Sequence, residues 1–329
     1  MHKQIKVLEI ESTNTCNASC PQCLRTNEYG NVKSDYSNVL DFDSVLSNTP
    51  LEFWQGLNAI NLNGNTGDNI AHPRIQDIVL TLVKIAPQAT VKISTNGSLR
   101  NTTWWGEFGK SLAGTNCFVV FGIDGLDDTH ALHRVGTSWQ KVIDNATAFI
   151  DAGGQAVWQM IPFKHNEHQV DQCQHLAHQM GFRRFILISD NRFPTGQNQQ
   201  PVYFKQKQTH TIQASSIKPN RDICQSMENL DATKKVQCKS METNWMAIYA
   251  DGTVWPCCFL MGWHRSPHQG RFYQLINYHF KKILGLDLSQ ISLYTNKLED
   301  ILNSDLWQKR YPNSFKSKPN PVCLQQCST

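Results

Sequence analysis

The 329-residue chain has no apolar run approaching the roughly 20 residues a membrane-spanning helix needs. Its amino terminus also lacks the apolar core of a secretory signal. Neither sign of charge dominates: 31 Lys and Arg are interspersed with 27 Asp and Glu, for a formal net charge of +4. That balance excludes the concentrated basic face of a nucleic-acid-binding protein. These absences predict a cytoplasmic protein with neither a membrane nor a specific nucleic-acid partner. Cysteine, by contrast, is plentiful. In a reducing compartment the eleven cysteines read better as metal ligands than as disulfides.

Three of them, Cys16, Cys20 and Cys23, stand in the order C-x3-C-x2-C within ESTNTCNASCPQCLR. An electron-transfer cubane takes four thiolates, one for each iron. Three close thiolates with no nearby fourth therefore suggest a cluster with one iron left open to a ligand. Zinc is the plain alternative, but it prefers paired C-x2-C units and closes at four ligands.

Along the chain, short apolar strands alternate with helical patterns. Strands are predicted at 3–10, 59–62, 90–94, 118–122, 156–161 and 185–188. Between them, Ile75, Ile78, Val79, Leu82 and Val83 share one helical face, as do Val142, Ala146, Phe149 and Ile150. The second helix stops at Gly153-Gly154, and a third runs over 168–180 to Gly181. Six strands joined by helices imply an α/β fold with a parallel sheet and right-handed crossovers, a partial (β/α)6 TIM barrel. Functional residues of such sheets gather at the carboxyl ends of strands. The expected organisation is a barrel over 1–190, a Gln-, Pro-, Thr- and Ser-rich connector over 191–220, and a second, small α+β domain over 221–329.

Six cysteines lie in that last part. Cys238, Gly252 and Cys257 give C-x13-G-x4-C, with 245–249 and 253–255 reading as a hairpin about Ala250-Asp251-Gly252. Cys323 and Cys327 come after a helical pattern holding Leu298, Ile301, Leu302 and Leu306. Four thiolates in two pairs fit one fully ligated [4Fe–4S] cluster or a structural zinc. Cys117 and Cys173 read as core residues, and Cys224 has no evident partner. Cys258 directly follows a ligand candidate and serves either packing or hydrogen-atom or proton donation.

Taken together, the amino-terminal triad and the tail cysteines resemble the radical S-adenosylmethionine (SAM) superfamily, in the branch with a twitch or SPASM-like auxiliary-cluster domain. The resemblance covers nearly the whole chain and implies SAM and two [4Fe–4S] clusters as cofactors. Cys16, Cys20 and Cys23 would hold the reducible cluster, and Cys238, Cys257, Cys323 and Cys327 the second. Four loops match where the family holds SAM. Gly64, Thr66, Gly67 and Asp68 lie in the loop resembling the family's Gly-Gly-Glu motif, where a carboxylate receives the SAM ammonium. Ser94 and Asn96 belong to a polar turn that presents hydroxyl and amide groups. Asp124 and Arg134 belong to a segment whose arginine reaches the SAM carboxylate or ribose. Asn166 lies where the family contacts adenosine. Two departures stand out: Gly122 where a serine is usual, and Gln22 where an aromatic residue packs on adenine.

The resemblance implies that SAM is split to a 5′-deoxyadenosyl radical, which abstracts hydrogen from a substrate C–H bond. The second cluster would then accept or carry an electron in oxidation or cross-linking. A small molecule or a peptide is the expected substrate, and a flavodoxin- or ferredoxin-type protein the electron donor. Asp190, His165 and Cys258 are candidate catalytic residues by position, although Asp190 and His165 also read as plain surface residues, as do His130 and His133. A different class stays open: a non-catalytic iron–sulfur or zinc protein acting as electron carrier or scaffold.

Overall fold

A computed structural model describes residues 5–27, 29–32, 36–189, 193, 197–217, 234–264 and 271–328. Six parallel strands form the amino-terminal part: β1 (Val7–Ile10), β2 (Ala59–Leu62), β3 (Thr90–Thr95), β4 (Cys117–Gly122), β5 (Gln155–Met160) and β6 (Arg184–Leu187). They succeed one another in sheet order, each β-to-β connection after β2 carrying a helix. The amphipathic helices Ile75–Ile85 and Trp139–Asp151 turn Ile78, Val79, Leu82, Val142, Ala146 and Phe149 into the core. Outward-facing strand residues Leu8, Ile10, Ile60, Leu62, Val91 and Ile93 complete that core, all fully buried. This is the α/β partial barrel expected of the chain.

Beyond the barrel, two features depart from the sequence-based expectation. Within the stretch read as a connector, β7 (Gln199–Phe204) and β8 (Lys207–Gln213) form an antiparallel hairpin. Its Val202 and Ile212 pack with Val135, Ile161 and Phe163 in a second, small core. Gln200 Nε2 donates to the Pro21 carbonyl at 3.2 Å, so the hairpin braces the amino-terminal cysteine loop.

The tail, in turn, extends the barrel sheet. Its hairpin strands are β9 (Trp245–Ile248) and β10 (Val254–Trp255), and β9 pairs parallel with β1, Val7 opposite Trp245 and Glu9 opposite Ala247. The order β10-β9-β1-β2-β3-β4-β5-β6 makes one eight-stranded sheet. No helix among the described residues is long and apolar enough to cross a membrane.

Candidate functional site

The strand ends converge on the loop that leaves β1. Cys16, Cys20 and Cys23 are half-buried there. Cys16 Sγ accepts from Ala18 N at 3.3 Å and from Asn96 Nδ2 at 3.5 Å. Arg25, which carries no sequence signature, is buried below this loop and donates to the carbonyls of Cys16 and Ala18 at 3.3 and 3.4 Å. Burial pushes the Cys16 thiol up to about 12, the neighbouring Asp68 carboxyl adding to it.

The loop after β2 packs directly against this one. A Cβ on Gly67 would lie 2.2 Å from the Thr13 carbonyl, so only glycine permits the approach. Asp68 is buried, and its oxygens accept from Ile70 N (3.0 Å), Asn96 N (2.7 Å) and the Thr95 hydroxyl (2.9 Å). Burial raises its pKa despite these donors. Asp68 thus ties the second loop to the end of β3. Asn96 is likewise engaged, donating to Asn17 Oδ1 at 3.0 Å besides Cys16 and accepting from Ser98. Ser94 is half-buried, on the same side of β3 as Lys92.

After β4, Asp124 is fully buried and accepts from Ile161 N (2.8 Å), His133 Nδ1 (2.7 Å) and Arg134 Nε (2.6 Å). Burial alone would raise its pKa, but Arg134 and His133 outweigh that and hold it well below the usual carboxylate range. His130 and His133 are buried rather than on the surface, because Asp124 uses both: the His130 ring accepts from Asp124 N at 3.1 Å. Arg134 adjoins the cysteine loop, where Ser19 N donates to the neighbouring Val135 carbonyl at 2.8 Å; burial disfavours its charge, but Asp124 outweighs that and raises its pKa. Asn166 is fully buried, donating to the carbonyls of Asp124 and Ile161 and accepting from Phe163 N. Its amide therefore fixes the loop after β5. His165, half-buried, stacks on Phe163 with ring centroids 5.4 Å apart, and neither ring nitrogen has a hydrogen bond. Burial lowers its pKa to about 4, so the ring is neutral at pH 7. Asp190 and Cys224 lie outside the described residues.

A second group was missed by the sequence reading. Glu9 and Glu11, both fully buried, face the concave side of the sheet. Glu11 accepts from Asn65 N at 2.8 Å and Thr66 N at 3.2 Å, pinning the loop after β2. Asn65 Nδ2 bridges both carboxyls. Burial first, then the neighbouring Glu9, raises Glu11 to about 8. Burial also raises Glu9, against the nearby Asn63, Cys258, Asn65 and Lys92. The available signal was a period of two: Glu9/Glu11, Asn61/Asn63 and Lys92/Ser94 alternate with apolar residues on three adjacent strands.

The tail thiols form the third group. An antiparallel bridge between Val236 and Ser328, with Gln237 N donating to the Cys327 carbonyl at 2.8 Å, draws the two ends of the tail together. The β9–β10 hairpin returns Cys257 to the same place. Burial raises the pKa of Cys257, Cys323 and Cys327, and the proximity of the other tail thiols adds to the rise at Cys323. Tyr311 Oη stands 3.7 Å from Cys238 Sγ. Among the described residues no three His, Cys, Asp or Glu side chains converge closely enough for a single metal ion. Tetrahedral zinc needs four sulfurs about 2.3 Å from one point. A cubane takes one thiolate at each of its irons, so it is bound by four sulfurs that need not share one centre. Cys117 and Cys173 are core residues, as expected.

With that geometry in hand, residues 238–328 match the family model described as SPASM, iron-sulfur cluster-binding domain. The tail is therefore an iron–sulfur cluster-binding domain of that type. No curated protein matches the chain. Among solved structures, Streptococcus suis SuiB bound to precursor peptide SuiA is 16% identical with a TM-score of 0.53, over 97% of this chain and 76% of that one. Native anSMEcpe with bound AdoMet and Cp18Cys peptide is 14% identical with a TM-score of 0.53, over 98% and 88%. SuiB without its peptide aligns with 85% of this chain at 14% identity and a TM-score of 0.52; 66% of that chain's length is spanned. The barrel and the iron–sulfur cluster-binding tail thus share the fold of SuiB and anSMEcpe.

Proposed function

We propose that this protein is a radical SAM enzyme that oxidises a polar substrate bound on the concave side of the sheet, between two [4Fe–4S] sites. One observation carries the reading. The triad lies beyond the carboxyl end of β1, while the tail strand paired to β1 returns its thiols toward the opposite end. Four residues of strand span about 13 Å, and the polar stripe of Glu9, Asn61 and Lys92 lies in that interval.

Cys16, Cys20 and Cys23 would hold the reducible cluster, and Cys238, Cys257, Cys323 and Cys327 the second. The bound cluster and SAM supply a 5′-deoxyadenosyl radical for hydrogen abstraction. Arg134 would receive the SAM carboxylate. Gly64, Thr66, Gly67, Asp68, Ser94 and Asn96 would shape the rest of that pocket, with Asp124 and Asn166 holding its far wall. Two buried neighbouring carboxyls do not both ionise readily, so Glu11, bridged to Glu9 by Asn65, keeps its proton near neutrality. They are better placed than His165 to exchange a proton with substrate, and Cys258 adjoins them. The polar lining suits a hydroxyl-, amide- or amine-bearing group, on a small molecule or on a peptide such as those bound by SuiB and anSMEcpe. A flavodoxin- or ferredoxin-type donor would supply the electron.

The test is anaerobic reconstitution followed by reduction in the presence of SAM. The protein is expected to hold about eight irons and to release 5′-deoxyadenosine and methionine. Clusters without SAM cleavage would point instead to an electron carrier.

A further inference from the structure

Gly122 ends β4, yet its backbone does not require a glycine. Its φ is not in the left-handed region, so any L-residue could adopt it. What excludes a side chain there is Arg134. A Cβ at position 122 would lie 2.7 Å from Arg134 Nη2, 3.0 Å from Cζ and 3.3 Å from Nη1. These are the three outer guanidinium atoms, so the group lies broadside against the strand end, in the space a side chain would fill.

The inner end of the same group is fixed. Arg134 Nε donates to Asp124 Oδ2 at 2.6 Å, and Asp124 is held in turn by His133 and Ile161 N. The outer end has no protein partner: among the described residues neither Nη1 nor Nη2 makes a hydrogen bond. Arg134 is nevertheless nearly buried, its side chain 16% exposed. A mostly buried guanidinium with two unengaged nitrogens, in a segment tied to the cysteine loop by Ser19 N donating to the Val135 carbonyl at 2.8 Å, is a receptor for a planar anion.

We infer that Gly122 is a positioning residue for anion recognition. Its missing side chain lets Arg134 present Nη1 and Nη2 to a carboxylate bound at the cysteine triad. The inference rests on the proposal that SAM is the ligand there, and its carboxylate is the group received.

The geometry separates this role from a structural one. The atoms a new Cβ would meet are the far end of a long side chain, which can swing away without disturbing the barrel. Gly122→Ala should therefore fold and keep its iron while displacing the receptor. The measurement is SAM affinity by calorimetry on anaerobically reconstituted protein, with circular dichroism and iron content as checks. Gly122→Ala and Arg134→Ala are each expected to weaken SAM binding about 10- to 100-fold, the range of one charge-assisted contact pair. The double variant should bind no more weakly than Arg134→Ala alone, because the second change has nothing left to displace. Gly106→Ala, in a helix with its nearest neighbour 3.8 Å from the new Cβ, serves as a control expected to match wild type.

Wild-type affinity in Gly122→Ala would overturn the inference, as would losses that multiply in the double variant. If Gly122→Ala does not fold, restoration of its melting temperature by Arg134→Ala would support the steric link, and no restoration would overturn it. Wild-type protein that binds no SAM would defeat the functional proposal itself, and this inference with it.

Discussion

The two cysteine sites differ more in their surroundings than in their ligands. The triad is ringed by polar and charged groups: Arg25 and Arg134, Asp68, and the amides of Asn17 and Asn96. The quartet sits at the edge of the apolar core, with Cys323 buried, Cys238, Cys257 and Cys327 half-buried, and the hydroxyls of Ser240 and Tyr311 beside Cys238. Three thiolates leave an iron to be completed, and charged, hydrogen-bonding walls are suited to an ionic ligand. Four thiolates leave nothing to complete, and a lining drawn largely from the apolar core suits an electron-transfer or structural group. The contrast in lining thus repeats, in independent residues, the contrast in ligand number.

The severest way to break this comparison is to remove each site in turn. Alanine at Cys16, Cys20 and Cys23 should remove about four of about eight irons and abolish SAM cleavage. Cys257→Ala/Cys323→Ala, where it folds, should lose a similar amount of iron but still release 5′-deoxyadenosine. Equal loss of SAM cleavage from a folded tail variant with its first cluster intact would erase the distinction. Because metal ligation contributes folding energy, circular dichroism must accompany the iron assay.

A second test asks whether the polar lining matters to the ligand. Asp68→Ala removes the acceptor that joins the loops after β2 and β3, leaving Asn96 N unpaired. SAM affinity should fall by roughly 1.5–3 kcal/mol, about 10- to 150-fold. Unchanged affinity would remove Asp68 from the site.

The third test concerns pH. Glu11 keeps its proton in the folded chain up to about pH 8, against a usual carboxylate value of 4.5. Between those limits the folded chain binds the extra proton, so stability falls as pH rises, by at most about 1.4 kcal/mol per unit. Glu11→Gln cannot titrate, and its melting temperature should fall less than that of wild type from pH 5 to 8. Parallel curves would show that Glu11 is ionised in the native protein.

The smallest effect is expected at the closed site. Tyr311→Phe removes one hydroxyl near Cys238 and should cost about 0.5–1.5 kcal/mol of stability, with iron content and SAM cleavage unchanged. A loss of SAM cleavage there would couple the two sites more closely than their linings suggest.

Much of this was legible in the sequence because it is local. The triad spacing, the strand periods and the Gly252 hairpin each depend on residues close in the chain, and the six barrel strands fall where apolar runs put them. What escaped was set by distant partners. His130 and His133 read as surface residues until Asp124 draws them inward. Glu9 and Glu11 look like the polar side of an ordinary strand, because nothing local says that the tail covers that side. The β7–β8 hairpin lies in a Gln- and Thr-rich stretch whose few apolar residues find partners only in Val135, Ile161 and Phe163.

The pairing of β1 with β9 also bears on how the molecule is made. Val7 is synthesised well before its partner Trp245, which comes only after the whole barrel has been produced. Until then one flank of β1 presents unpaired backbone groups, the kind of edge to which other chains add. Contacts this distant in sequence also form slowly. The nascent barrel therefore waits with an open seam until the tail arrives, and a chain cut short before residue 245 should be aggregation-prone even with every barrel residue present. Closure of that seam is what joins the two cysteine sites through one continuous sheet.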